Sequence, residues 1–411
     1  MLELSTLLCP KSMPFENEKL SQSARKKRTL LKPPRVIQKH ENLDLVRFVL
    51  LANSKGLYGG PTDTAAAQHL LTSELNQVVL AGSFEGDSPA YRDVNLVTFK
   101  VRHLFGLKSY FDIGSIRMIP ILWGYSKAKC VHISFARGLS TFLFTFFCLI
   151  HRTPILLQTH GMLTSRTSAF HKMLDFFITK RLCERSDRIL ALTSVEAEAL
   201  IVWHSRLAPI IKVLGNPSNT YRPLVEYEPT NSVLFAARLH PRKRVSDFIE
   251  AARFSSSQGS QVEYKILGPD EGDLAIVLKG VEELPNLNYL GSTSSDGVLE
   301  ELSRSKVFAL TSQDEPWGNV LVSALAMGKP VVLTESSHLA TLIAEAGAGI
   351  VVPDHDSSAL ANSINYLLEP KIYAIFAKEA KKLHLSHFTN ENVKAELLEA
   401  YKDLSMTADV A

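Results

Sequence analysis

Short, uninterrupted apolar runs alternate along this chain with longer segments whose apolar positions recur at helical spacing. In the first half the runs predict strands at 45–52, 78–81, 96–99, 131–134, 155–158 and 189–192. Helical spacing falls between them at 63–75, where Thr62 is placed to cap, and at 139–150, 168–185 and 194–203. A stretch rich in Pro, Asn and Thr at 215–231 reads as a linker, and the pattern then restarts. Strands are expected at 233–236, 263–267, 287–290, 307–310, 331–333 and 350–352, with helices at 245–252, 295–303, 340–346 and 357–368. Another helix lies between Gly318 and Gly328, and 371–404 reads as helical throughout.

Apolar runs without polar alternation imply strands buried on both faces, and their alternation with helices implies parallel sheets. No internal repeat of solenoid period is visible. At 411 residues the chain exceeds one core. The expected architecture is α/β, with two doubly wound Rossmann-like domains facing a cleft. The divisions are 1–43, a basic and poorly ordered arm; 44–214, an N-terminal domain; and 215–231, the linker. A C-terminal domain at 232–370 follows, and helices at 371–411 pack back across both. In such sheets ligands sit beyond the carboxyl ends of the strands.

Composition narrows the partners. A net charge of +3 gives no sign of nucleic acid as a partner. Of four cysteines, Cys130, Cys148 and Cys183 lie in or beside apolar segments and read as free buried thiols; Cys9 lies in the arm. The longest apolar run, 139–150, is too short for a bilayer, which needs about 20 residues. With no signal-peptide pattern, the expected place is the cytoplasm, or the periphery of the inner membrane face. Between Lys19 and Lys39 stand eight Lys or Arg and no acid. Such a run is usually a solvated tail, and it is also of a kind that docks on anionic membrane. The Phe142, Phe144, Phe146 and Phe147 stretch reads as a buried helix face before it reads as a lipid contact.

The loops after strands carry the candidate chemistry. Gly59-Gly60 can wrap a diphosphate or sugar, although an ordinary turn is the commoner use of such a pair. His160, in Thr159-His160-Gly161 at the end of the 155–158 run, can bond a sugar hydroxyl or phosphate, or shuttle a proton. A lone histidine is as often structural. Arg238 follows a strand and Lys243 precedes a helix; two cations so placed can clamp a diphosphate leaving group, whereas a bare basic loop would be solvated. Glu315 lies just before a helix N-terminus, where free N–H groups suit phosphate or sugar oxygens; on its own it reads as an ordinary capping acid. Gly268-Pro269, after the 263–267 strand, can wall a nucleotide base.

Three phrases in the second half carry a family resemblance: Leu234-Phe235-Ala236-Ala237-Arg238-Leu239-His240-Pro241-Arg242-Lys243, Asn288-Tyr289-Leu290-Gly291, and Glu315-Pro316-Trp317-Gly318 through to Val332. They resemble the retaining GT-B glycosyltransferases of the large glycogen-synthase-like family 4. In the first half, Val131-His132-Ile133, Gln158-Thr159-His160-Gly161-Met162-Leu163 and Ile189-Leu190-Ala191-Leu192-Thr193-Ser194 resemble members that build cell-surface polysaccharides.

The resemblance implies a GT-B fold and transfer of a sugar from a nucleotide-diphosphate donor to a saccharide or lipid-linked saccharide acceptor. It implies no cofactor and no metal. Arg238 and Lys243 match the cations that hold the diphosphate. Glu315 matches the acid that contacts the transferred sugar, and amides around Trp317, Gly318 and Asn319 match those that bond its hydroxyls. His160 matches a histidine near sugar and acceptor, and Gly59-Gly60 the glycine loop. In the implied retaining reaction the acceptor hydroxyl attacks the anomeric carbon from the face that the nucleotide leaves, and a diphosphate oxygen takes its proton. Two departures stand out. Ser323 occupies the place of a second glutamate that bonds the ribose, which bears on nucleotide affinity, nucleotide choice and activity. Arg244 stands where glycine commonly follows the lysine. Two other readings stay open: a non-catalytic binding subunit, and a sugar-nucleotide epimerase of the same architecture.

Overall fold

Apolar runs too short for helices become the inner strands of two parallel sheets. The computed structural model describes residues 42–52, 59–84, 93–104, 111, 113–163, 168–218 and 227–408. The expected arm at 1–43 therefore lies almost wholly outside the described residues, as does much of the linker. The first sheet contains β1 (Leu45–Leu51), β2 (Gln77–Ser83) and β3 (Leu96–Lys100), with a separate antiparallel pair, β4 (Arg102–His103) and β5 (Ile113–Gly114). It continues through β6 (Cys130–Ser134), β7 (Ile155–Gln158), β8 (Arg188–Ala191) and β9 (Ile211–Val213). The strand order is β3-β2-β1-β6-β7-β8-β9, all neighbours parallel. Its helices are α1 (Gly59–Leu71), α2 (Met118–Tyr125), α3 (Leu139–His151), α4 (Ala169–Leu174), α5 (Lys180–Glu184) and α6 (Ser194–Trp203).

The second sheet is built from β10 (Thr230–Ala236), β11 (Glu263–Leu267), β12 (Leu287–Tyr289), β13 (Ser305–Leu310), β14 (Val331–Thr334) and β15 (Gly349–Val352). Its order is β12-β11-β10-β13-β14-β15, again parallel throughout. Around it lie α7 (Val245–Ser257), α8 (Leu274–Glu283), α9 (Ser295–Arg304), α10 (Asn319–Ala326), α11 (Ala340–Glu345) and α12 (Ser357–Leu367). Both sheets are thus doubly wound and Rossmann-like. The order reverses between β1 and β6 in one and between β10 and β13 in the other, the position at which such sheets bind ligands.

Two closing helices tie the halves together. In α13 (Pro370–His387), Ala380 and Leu383 are buried in the second core, and Phe388 just beyond the helix joins them. Then α14 (Asn390–Ala408) returns to the first sheet, burying Val393, Leu397, Ala400 and Tyr401 against Leu45, Cys130, Leu156 and Leu190. Beneath it the β1 guanidinium of Arg47, 1 % exposed, donates to Tyr401 Oη at 2.6 Å and to Thr72 Oγ1 at 2.7 Å, and meets His132 Nδ1 at 3.0 Å. Neutral acceptors thereby satisfy a charge removed from water. Burial, against the opposing pull of Arg47, pushes the Tyr401 phenol up to about 12.

Several expectations need correcting. The first helix starts at Gly59, so Thr62 lies inside it rather than at its cap, and its hydroxyl donates to Leu51 O at 2.9 Å. The single helix expected at 168–185 is α4 and α5 joined by a π turn, Asp175–Thr179. The helix expected at 371–404 breaks where Phe388 leaves the helical path and sets its ring edge-on to Trp317, centroids 5.4 Å apart. Elements without a counterpart in the apolar pattern include α2, which carries Pro120; β9, which is three residues long; and α8. Cys130, Cys148 and Cys183 are free and buried, and burial pushes the Cys130 thiol up to about 12.

Candidate active site

The reversal between β10 and β13 decides which side chains meet. From β10 the chain runs through Arg238 into a 3-10 turn, Pro241–Lys243, held by His240, whose Nδ1 accepts from the Arg242 amide at 3.1 Å. From β13 it enters the turn 311–318. The two loops are stitched by Thr311, whose hydroxyl donates to the carbonyls of Lys243 and Arg244 at 2.9 Å each, and by Gln313 N to Arg242 O at 2.8 Å. Arg242 reaches the Asp314 carbonyl at 2.9 Å.

At the centre, Lys243 Nζ donates to Glu315 Oε2 in an ion pair whose side chains are 12 % and 9 % exposed. Burial alone would raise the Glu315 pKa, but Lys243, then Arg242 and the Ser312 hydroxyl, outweigh it and hold the carboxyl below its ordinary range. Lys243 is itself depressed, chiefly by burial, with Arg242 and Arg238 adding to it against the attraction of Glu315. Arg238 is half-exposed and gives one guanidinium nitrogen to both Glu271 oxygens, at 2.9 and 2.8 Å. The structure therefore gathers Arg238, Lys243 and Glu315 at one place, with a second carboxylate among them.

Trp317, Gly318 and Asn319 lead into α10. Gly318 sits at φ +75, a conformation suited to glycine, and no side chain caps the first turn of α10. Trp317 is buried with its Nε1 lacking a partner among the described residues. A Cβ on Gly215 would overlap the indole, so glycine there admits the ring. Asn319 Oδ1 accepts from Asn216 Nδ2 at 3.2 Å. Ser323 is 1 % exposed, and its hydroxyl donates to Asn319 O at 3.0 Å, one turn back in its own helix. Gly268, at φ +156, lies against the Ala237 carbonyl where any Cβ would overlap; Pro269 O accepts from Leu239 N at 2.8 Å.

Opposite stands the loop after β7. His160, at φ +49, meets Ser134 Oγ through Nε2 at 3.2 Å, and burial brings its pKa down to about 3, so the imidazole is neutral. Glu196 fixes this loop: one oxygen accepts from Thr159 Oγ1 and Gly161 N, both at 2.5 Å, and the other from Leu192 N at 2.7 Å. Gly161 packs directly against Pro316, next to Glu315. His338 closes the seam, its amide donating to Glu315 O at 3.0 Å and its ring lying 2.8 Å from Asp314 Oδ1 and 3.3 Å from Thr193 Oγ1. His160 is thus brought to the same seam as the Glu315 turn. Gly59 and Gly60 instead open α1, where a Cβ on Gly60 would meet nothing within 4 Å; the 53–58 loop before them lies outside the described residues.

Sequence reasoning misses Glu271, Glu196 and His338. Glu196 had a signal, since Thr193-x-x-Glu196 is a capping box and Thr193 Oγ1 accepts from Glu196 N at 3.2 Å. Glu271 lies in the loop after β11, where the strand-end rule looks, but no sequence signal pairs it with Arg238. Arg244 adopts φ +48, which explains why glycine suits this position, and its guanidinium bonds Thr311 O and Asp354 at 2.8 and 2.9 Å. The metal-free reading expects no Asp-x-Asp motif, and the chain corrects it by having one, Asp354-His355-Asp356. Asp354 pairs with Arg244, and Asp356 caps α12 by accepting from Ala359 N at 2.8 Å.

Residues 219–383 match the family described as Glycosyl transferases group 1. Among curated relatives, D-inositol 3-phosphate glycosyltransferase of Rhodococcus jostii is 25% identical over 238 residues, 53% of this chain and 52% of that one. The amylovoran biosynthesis glycosyltransferase AmsK of Erwinia amylovora is 32% identical over 141 residues, 31% of this chain and 34% of its own. The chain spans about half the length, or less, of these curated relatives. Among solved structures, HepE of Anabaena in complex with UDP and glucose superposes with a TM-score of 0.69 at 19% identity, covering 88% of this chain and 99% of that one. The chain thus has the GT-B fold, and within it residues 219–383 are similar to the glycosyl transferases group 1 family.

Proposed function

We propose that this chain is a retaining, metal-independent glycosyltransferase that moves a sugar from a nucleotide-diphosphate donor to a saccharide or lipid-linked saccharide acceptor. The observation that carries the reading is the Lys243–Glu315 pair with Arg238 at the β10/β13 reversal, facing the His160 loop. Arg238 and Lys243 meet the diphosphate and the charge that grows on it as the bond to the anomeric carbon breaks. The acceptor oxygen bonds to that carbon on the same face, and its proton passes to a diphosphate oxygen. Glu315 and the uncapped amides of α10 hold the sugar hydroxyls. His160, neutral by burial, offers a hydrogen bond rather than a charge. Metal independence is supported by the two cations at the site and by the engagement of Asp354 and Asp356 elsewhere.

UDP, present in the HepE structure, is the first nucleotide to test, and the relative named for amylovoran biosynthesis supports a role in cell-surface polysaccharide synthesis. UDP-sugars should raise the melting temperature in EDTA as well as in magnesium, and Arg238→Ala should abolish the shift. A shift that needs magnesium would end the metal-independent reading. A second reading, a binding subunit without turnover, is favoured by one observation: Ser323 turns its hydroxyl into its own helix. Donor hydrolysis assayed beside calorimetric binding separates the two.

A further inference from the structure

The helices outside β1, β6 and β7 expose an apolar surface. There α3 packs between α2 and the α4–α5 segment. Among the described residues, no helix is long and apolar enough to cross a membrane, so this surface belongs to a face and not to a span. Phe142, Phe144 and Phe147 are buried, as the sequence led us to expect, whereas Phe146, expected buried with them, is 52% exposed because it lies on the outer side of α3. Neighbouring residues are exposed as well. Phe176 and Phe177 in the π turn are 63% and 61% exposed, with Met173 and Phe170 one and two turns earlier exposed as well. Beside them Phe146 and Trp123 also stand out. Phe111 sets its ring edge-on to Phe170 at 5.4 Å. The inner side of the same segment is fully engaged, with Leu174, Asp175, Thr179, Leu182 and Cys183 buried. The exposed aromatics are therefore not a helix turned the wrong way; they form an outer face that the described residues leave uncovered.

Charge decides what would cover it. Between 111 and 185 the sequence has ten Lys or Arg and three acids, Asp112, Asp175 and Glu184, the last bonded to His204 and Arg206. Asp175 is buried and gripped by Arg137 at 2.7 and 2.9 Å. Arg117, Lys127, Arg152, Lys172 and Arg181 are exposed around the aromatic residues. A second copy of this face would set cations against cations. An anionic lipid surface satisfies both halves of the pattern, since headgroups meet the cations and the interface receives the aromatic rings.

We propose that the α4–α5 segment, with the neighbouring ends of α2 and α3, docks the protein on an anionic bilayer surface. Arg137 links this face to the candidate site, because the guanidinium that holds Asp175 also donates to Met162 O at 2.7 Å, two residues beyond His160. Docking thus places the His160 loop near lipid headgroups, where a lipid-linked acceptor would be met; only this last point rests on the proposed function.

The test is co-sedimentation of the full chain with vesicles of phosphatidylcholine alone or with phosphatidylglycerol added. The wild type should bind the anionic vesicles and not the neutral ones. Phe176→Ser/Phe177→Ser and, separately, Lys172→Glu/Arg181→Glu should each weaken binding at least about ten-fold, with unchanged melting temperature and unchanged UDP shift. Unchanged binding in both variants would assign the membrane contact to the basic arm and overturn the proposal. So would equal binding to neutral vesicles, or a dimer in solution that the serine variant dissociates. The UDP shift is read independently, so failure to bind lipid leaves the glycosyltransferase reading standing, and failure to bind UDP leaves the docking result standing.

Discussion

Glu271 holds Arg238 through both carboxylate oxygens, at 2.9 and 2.8 Å from one guanidinium nitrogen. A diphosphate seeking Arg238 must displace this carboxylate or share the cation with it. A partly exposed pair of this sort is worth about 1 kcal/mol, so Glu271→Gln should tighten UDP binding by about five-fold. Calorimetry checks this, and weaker or equal binding would show that Glu271 instead helps to hold the nucleotide.

Lys243 and Glu315 depend on each other. Removing one partner of a buried pair costs about 3–5 kcal/mol because the other charge is stranded. Lys243→Met should therefore lose stability as well as turnover. Lys243→Met/Glu315→Gln should recover much of the stability and none of the turnover. Urea denaturation beside a transfer assay separates the two effects; additive stability losses in the double variant would mean that the pair is not coupled.

Gly161 is required twice over, by φ +72 and by the Pro316 ring against it. Gly161→Ala should destabilise the protein by about 1–3 kcal/mol and reduce turnover by shifting Pro316 and hence Glu315. A fully active, equally stable alanine variant would show that the contact does not position the site.

Acid should unfold the protein early. Burial depresses His160 to about 3 and His69 to about 4, from an ordinary 6.5. Below 6.5 the unfolded chain takes up these protons while the folded one does not, so stability falls with pH down to those values, by about 1.4 kcal/mol per pH unit for each site. Glu315 adds a loss at lower pH, as its depressed carboxyl is protonated. His160→Asn should flatten the dependence between about pH 6 and pH 4, the range where urea midpoints are most informative. A slope equal to that of the wild type would place the lost protons elsewhere.

Ser323 is already bonded within its helix, so Ser323→Ala should change UDP affinity by less than about two-fold. A larger loss, measured by calorimetry, would mean that the hydroxyl turns to meet the nucleotide.

Both parallel sheets were legible because continuous apolar runs such as 155–158 and 263–267 have one structural solution between flanking helices. The cations and Glu315 were legible because strand ends mark where ligands bind. What escaped was set by distant partners. Nothing near Glu271 in sequence announces Arg238, thirty-three positions away. His338 matters because the fold sets it beside Glu315 and Asp314, more than twenty positions back, and beside Thr193, 145 positions back. The break after His387 owes nothing to Gly or Pro; Phe388 packs on the Trp317 ring, and Thr389 caps the next helix, its Oγ1 accepting from Asn392 N at 3.3 Å.

The bond from Arg47 to Tyr401 joins residues 354 positions apart. During synthesis at about 5–20 residues per second, the first sheet emerges long before the helix that covers it. For that interval Leu45, Cys130 and Leu156 present a sticky slab to the crowded cell, and the arginine beneath stays wet. The nascent chain is therefore most exposed to aggregation until α14 leaves the ribosome and covers this face.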